Sequence, residues 1–341
     1  MIYIHVPFCR SFCVYCDFYS EIACRGKDRK AMEAYAEGLC REAEARVDEI
    51  KQSLGVNTLY IGGGTPSVLP LDVLERIVRQ VKECAGVDSF EEFTIEVNPE
   101  DIIEKGSEYV QALLQLGVTR VSMGVQSLDD EILKWMGRRH DSLSAIKATQ
   151  ILRAAGVQNL SLDLIIGISQ LSNSILQDTL ERILALHPQH ISSYQLSIEE
   201  GSALESMVSD GRYIEASEEQ CRAQYDMLCE RLSQAGYEHY EISNWALPGF
   251  RAKHNYAYWT RAPYVGLGPG AHSLKIDPDA QYRSWNSEQI NEWHSDGEAL
   301  SEEEIREERI MLGLRTAEGI DGRRIAESDW FVSDSIIADL I

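Results

Sequence analysis

Basic charge is in short supply: 32 Lys and Arg stand against 55 Asp and Glu, a formal charge of -23 over 341 residues. A nucleic-acid partner held by counterion release needs a basic face, so that class is excluded. Adsorption to an anionic membrane surface is disfavoured for the same reason. Long hydrophobic runs are missing, since no stretch approaches the roughly 18 apolar residues of a membrane span. Met1–Pro7 reads as a strand and lacks the basic and apolar regions of a signal peptide, so a cytoplasmic protein is expected. There is no low-complexity tract, and no second pair of cysteines at zinc-ligand spacing that would build a four-ligand site with the first group.

What is present is an ordinary globular composition, 44% hydrophobic and 26% charged, in a chain long enough to bury a large core without staples. Strand candidates Tyr3–Val6, Thr58–Ile61, Phe93–Val97, Arg120–Val125, Leu160–Ile166 and Ile191–Ser197 alternate with helical segments near 30–52, 70–85, 104–116, 141–155 and 173–186. That alternation predicts an α/β fold with a parallel sheet, as a partial (β/α)6 TIM-like barrel. Beyond about residue 200 the rhythm changes. Helical segments at 202–210 and 215–235 precede a Tyr-, Trp-, Gly- and His-rich stretch at 237–275, a polar region, and a helix over Glu303–Ala317. The predicted division is a core barrel over 1–235, a segment completing it over 236–300, and a small C-terminal α/β extension over 301–341.

Of the 8 cysteines, Cys24, Cys40, Cys84, Cys221 and Cys229 are scattered and read as small buried hydrophobes. Cys9-x3-Cys13-x2-Cys16 is different, because it sits in the loop after the first strand among Phe8, Phe12, Tyr15, Phe18 and Tyr19. Three thiolates can hold three irons of a 4Fe-4S cluster and leave the fourth open to a small molecule. This arrangement resembles the signature of the radical S-adenosylmethionine (SAM) enzymes. The resemblance implies that SAM binds the open iron, and that an electron from the reduced cluster cleaves it to a deoxyadenosyl radical.

Gly62-Gly63-Gly64-Thr65-Pro66 follows the second strand and exposes backbone amides and carbonyls to a ligand. It is neither a P-loop nor a dinucleotide fingerprint. It resembles the family motif that holds the methionyl amino group. Glu96 ends the third strand and Gln126 the fourth, Arg138 follows twelve residues on, and Asp163 puts a charge inside an apolar strand. Such a charge needs a partner or a ligand; a pair with Arg138 is one alternative. Tyr3, Tyr15, Gly63, Gly64, Thr65, Glu96, Gln126, Arg138 and Asp163 are the cofactor contacts that the resemblance implies.

Within that family the chain resembles the oxygen-independent coproporphyrinogen III oxidase group, and in it the HemW-like heme chaperones. The oxidases carry a fourth cysteine where Phe18 stands, and an N-terminal extension is expected to be missing. Tyr240–Ala246 and His254-Asn255-x2-Tyr258-Trp259 resemble chaperone segments, the second linked to heme binding. His254 is the candidate axial ligand, His272 the next, and His5 a neighbour of the cluster. Gly167-Ile168-Ser169 replaces the family's Pro-Gly turn, and the C-terminal region is expected to be short. The implied function is to bind heme, a 4Fe-4S cluster and SAM, and to pass heme to an acceptor such as a membrane-bound respiratory protein. The alternative is an enzyme, oxidatively decarboxylating coproporphyrinogen III to protoporphyrinogen IX. A carrier need not turn over a substrate, so catalysis stays open.

Overall fold

The computed structural model describes residues 1–16, 19–22, 29–290, 292–338 and 340, so Asp17, Phe18 and Cys24 lie outside the described residues. Strand β1 (Ile2–Val6) leads into the cysteine loop, where β2 (Phe8–Cys9) pairs with β3 (Glu21–Ile22). Helices α1 (Arg29–Ala45) and α2 (Val47–Ser53) follow. Then come β4 (Thr58–Gly63), α3 (Leu71–Ala85), β5 (Glu92–Val97), α4 (Pro99–Leu116) and β6 (Arg120–Gln126). The series continues with α5 (Asp130–Trp135), α6 (Ser142–Ala155), β7 (Asn159–Ile166), α7 (Asn173–Leu184) and β8 (His190–Gln195). The rest contributes α8 (Ala203–Ser209), α9 (Glu218–Gln234), β9 (Glu238–Glu241), β10 (Asn244–Ala246), α10 (Lys253–Trp259) and β11 (Val265–Leu267). Last are β12 (His272–Ile276), β13 (Gln281–Asn286), β14 (Ser295–Ala299), α11 (Glu302–Gly313) and α12 (Ser333–Ala338).

The six expected strands pair in parallel as β1-β4-β5-β6-β7-β8. The Tyr- and Trp-rich stretch then extends both edges of this sheet. Strand β11 adds in parallel to β1, while β10 and β9 add antiparallel hairpin strands beyond β8. Periodicity did not disclose α5 or α10, each too short to show a helical stripe. Side-chain carboxylates and hydroxyls set the helix starts: Asp141 accepts from Ser144 N, and Ser301 with Glu304 forms a capping box.

The strands carry two faces. Leu59, Ile61, Phe93, Ile95, Val121, Met123, Leu160 and Leu162 are all buried in the hydrophobic core. Each such side chain stabilises by about 1.5–3 kcal/mol. The alternate positions are polar and bond to one another across the strands: Tyr60 to Glu96, Ser122 to Asp163, Arg120 and Ser161 to His190. Parallel strands normally read as continuous apolar runs, so a polar inner face marks a lumen built for more than packing.

Candidate functional site

A cavity of about 480 Å³ opens where the parallel strands end, within the size range of small-molecule sites. Its wall joins the cysteine loop to the ends of β4–β8: Cys9, Cys13, Cys16 and Tyr15 with Gly63, Gly64, Thr65, Glu96, Gln126, Arg138 and Asp163. The cysteine loop is fastened on several sides. Gly64 N donates to Val6 O at 2.8 Å and Thr65 N to Phe8 O at 2.7 Å, so the cysteine and glycine loops leave the sheet together. Val14 N donates to Met136 O and Val14 O accepts from Leu204 N, which seats the loop against α5 and α8. The described cysteines form no disulfide. Among the described residues no group of three or more His, Cys, Asp or Glu side chains is placed around a common point for a single ion.

The glycines fit because nothing larger does. A Cβ on Gly64 would stand 2.8 Å from both Phe8 O and Val6 O, which are backbone atoms. Gly63 has φ +101° with the His5 ring against it. Its amide donates to Glu96 Oε2 at 3.2 Å, while Tyr60 donates to Oε1 at 2.6 Å. Burial pushes the Glu96 carboxyl up to about 7, against the Tyr60 bond that holds it down. Burial raises Asp163 as well; Arg120 and three serine hydroxyls pull the other way.

Gln126 ends β6 at φ +65°, a strained setting for a side chain with a Cβ, beside a register shift in the β6–β7 pairing. Its Oε1 is buried without a hydrogen-bond partner. A buried acceptor left unpaired by the protein is expensive, and strain at the same residue marks a position held for a ligand. Arg138 donates to Asn98 Oδ1 at 2.7 Å and Gly124 O at 2.8 Å, and reaches Cys13 Sγ at 3.5 Å. It does not pair with Asp163, which accepts from Ser122 and Ser161 instead.

The Radical SAM superfamily pattern matches residues 3–183, over half of the chain. The chain belongs to the radical SAM superfamily. Within it the chain falls in the HemW-like group. It is 33% identical over 334 residues to the heme chaperone HemW of Lactococcus lactis subsp. lactis (strain IL1403), covering 93% of this chain and 82% of that protein. With HemW of Synechocystis sp. (strain ATCC 27184 / PCC 6803 / Kazusa) it shares 34% over 351 residues, 99% of this chain and 83% of that one. The fold is also that of the Escherichia coli coproporphyrinogen III oxidase HemN. That match has TM-score 0.75 at 20% identity and covers 92% of this chain and 75% of the other. A radical SAM fold implies a 4Fe-4S cluster and SAM. The residues present fit both: three thiols in one cavity wall, a glycine cradle closed to any Cβ, and an orphaned amide oxygen.

The other sequence-nominated residues lie outside the cavity wall. Tyr3 does not line the cavity; it bonds His5 Nδ1 at 3.1 Å and packs against Tyr60, so it touches the site through that ring. His254 sits on α10 at the other end of the lumen and is fully buried. Its Nδ1 meets Thr58 Oγ1 at 2.8 Å and its Nε2 the Tyr258 hydroxyl at 3.2 Å, leaving no nitrogen for a metal. Burial drives its pKa down to about 3. His272, by contrast, is exposed at the start of β12 beside Trp285, with no hydrogen bond to its ring among the described residues. Sequence reasoning assigned no role to Tyr60, Asn98 or Arg120. Asn98 carried a signal, as the residue before Pro99 at a strand-to-helix junction.

Proposed function

We propose that this radical SAM protein holds a 4Fe-4S cluster on Cys9, Cys13 and Cys16 and SAM in the adjoining cavity, and carries heme to an acceptor protein. The observation that carries the first part is the single cavity uniting three thiols, the Gly63–Thr65 cradle and the unpaired Gln126 Oε1. The heme part rests on the relatives, which are named heme chaperones at 33% and 34% identity over most of this chain. Once bound, a reduced cluster supplies one electron to the SAM sulfonium. The protein's own part is to bind and orient. Glycine backbone groups and Glu96 receive the amino acid moiety, Gln126 and Asp163 accept from ligand donors, and Arg138 faces the cysteine loop with a fixed positive charge.

For heme, His272 is the better axial candidate, because His254 would first have to give up both Thr58 and Tyr258. Desolvation, with Arg283 nearby, lowers the His272 pKa and so favours the neutral imidazole that iron ligation requires. The test is anaerobic titration of cluster-loaded protein with heme, read as the Soret band. A saturable stoichiometric shift, lost in His272→Ala and kept in His254→Ala, is expected. Loss in a folded His254→Ala alone returns the ligand to α10. Absence of specific binding, with coproporphyrinogen III decarboxylated in the presence of dithionite and SAM, overturns the carrier reading in favour of the oxidase.

A further inference from the structure

The first turns of α4 touch both loops of the site, and the helix breaks directly after them. Gly106 interrupts α4 at φ +69°, ψ −170°, a combination that only glycine adopts readily. A Cβ there would meet nothing within 4 Å, so backbone conformation and not space demands the glycine. The break disturbs helical backbone bonding in mid-course, which calls for a compensating role in the segment it frees, residues 99–105.

That segment grips the turn that follows Gly64. Lys105 is half-buried, and its ammonium donates to Ser67 O at 2.5 Å and Leu69 O at 2.9 Å. The same nitrogen lies 4.4 Å from the centre of the Tyr109 ring, across the break. Asp101, 1% exposed, accepts from the Ser67 hydroxyl at 2.6 Å. Just before the helix, Asn98 donates from Nδ2 to Thr65 Oγ1 at 3.2 Å and from its backbone N to Ser67 Oγ at 3.3 Å. On its other side the segment holds the cysteine loop. Arg10, next to Cys9, stands with Nε 3.4 Å from Asp101 Oδ1 and pairs with Glu104. Lysines are rarely withdrawn from water to serve packing, and one spent on two carbonyls of a single turn fixes the course of that turn.

We propose that residues 99–105 form a bracket that holds the cysteine loop and the glycine cradle at a fixed separation, with Lys105 and Asp101 as its positioning residues. The proposal rests on reading the cavity as the cluster and SAM site. Lys105 acts through the Ser67 and Leu69 carbonyls, and Asp101 through the Ser67 hydroxyl and Arg10. The part they play is geometric. A ligand that spans from the cradle to the cysteine loop is held well at one separation and poorly at others.

The experiment is calorimetric titration of cluster-loaded protein with SAM, paired with electron paramagnetic resonance of the reduced cluster. Lys105→Met is expected to weaken SAM binding about tenfold at unchanged cluster content, the scale of losing a supporting contact behind a ligand site. At saturating SAM its spectrum should differ from that of the wild type, because a displaced ligand perturbs the iron differently. Lys105→Arg, still able to donate to both carbonyls, restores most of the affinity. Gly106→Ala disturbs the bracket without touching the cradle and is expected to act in the same direction. If Lys105→Met does not fold, Ser67→Ala, which deletes only the hydroxyl between Asp101 and the turn, is read in its place. Folded variants with wild-type affinity and spectrum, whatever their melting midpoint, overturn the proposal, because the bracket then serves the fold alone. Wild-type protein that loads a cluster and binds no SAM overturns the reading of the cavity instead.

Discussion

The two ends of the barrel lumen are built from the same alternating strands and end in opposite states. At the end where β4–β8 finish, Gln126 Oε1 is left unpaired at a strained φ of +65°, beside a Glu96 carboxyl raised by burial to about 7 and glycines where no Cβ fits. At the end where those strands begin, the polar groups that meet α10 are consumed, while Arg120 keeps Nε and Nη1 unpaired. His254 uses both ring nitrogens, and Glu92 takes two backbone amides from α10. Equal polarity thus divides into a binding end and a structural end. The joint with α10 closes one end and the glycine and cysteine loops open the other, and composition does not separate them.

The largest effect that would break this division lies at the open end. Replacing Cys9, Cys13 and Cys16 together by Ala should abolish the charge-transfer absorbance of a reconstituted cluster and leave the thermal midpoint of the cluster-free protein nearly unchanged. None of the three side chains is buried in the core, so their removal opens no cavity there. Surviving absorbance would mean that the open end is not the cluster site.

This contrast explains how much could be read without coordinates. The six parallel strands were legible, because apolar outer positions such as Leu59-x-Ile61 and Phe93-x-Ile95 alternate with polar ones. The cavity wall was legible too, since Cys9, Cys13, Cys16, Gly63, Gly64, Glu96, Gln126, Arg138 and Asp163 each stand at or near a strand end. His254 was not, because one imidazole among aromatics reads alike as a ligand or as a satisfied joint. Only the bonds to Thr58, nearly two hundred residues away, tell them apart. Arg120 was missed although it carried the signal that picked out Asp163, a charge opening an otherwise apolar strand. It was read as the first residue of a strand and given no role.

At the closed end the expected effect is on stability. His254→Ala leaves the Thr58 and Tyr258 hydroxyls unpaired in a buried space and should destabilise by about 2–4 kcal/mol. Cluster content and SAM affinity should hold, as seen by denaturant unfolding and a parallel titration. The pH dependence has a definite sign. The unfolded chain protonates this imidazole near 6.5, and the folded protein only near 3. Stability from His254 is therefore full above 6.5 and drains away as pH falls toward 3. His254→Gln should remove that slope. Lost SAM binding in a folded variant would show that the two ends are not independent.

The smallest effect sharpens the division most, because it runs opposite to the usual direction. Gln126→Gly removes a Cβ from a left-handed residue and a buried acceptor with no partner. Both changes favour the ligand-free protein, while added flexibility of the unfolded chain offsets part of the gain; a net stabilisation of about 1 kcal/mol is expected. The same change deletes an acceptor from the cavity, so SAM should bind more weakly to the more stable protein. Melting curves with and without SAM read both quantities on one sample. A residue that served only the fold would lose stability on becoming glycine and leave the SAM-dependent shift intact. A higher midpoint with a smaller SAM shift is the signature of a strained group kept for its ligand.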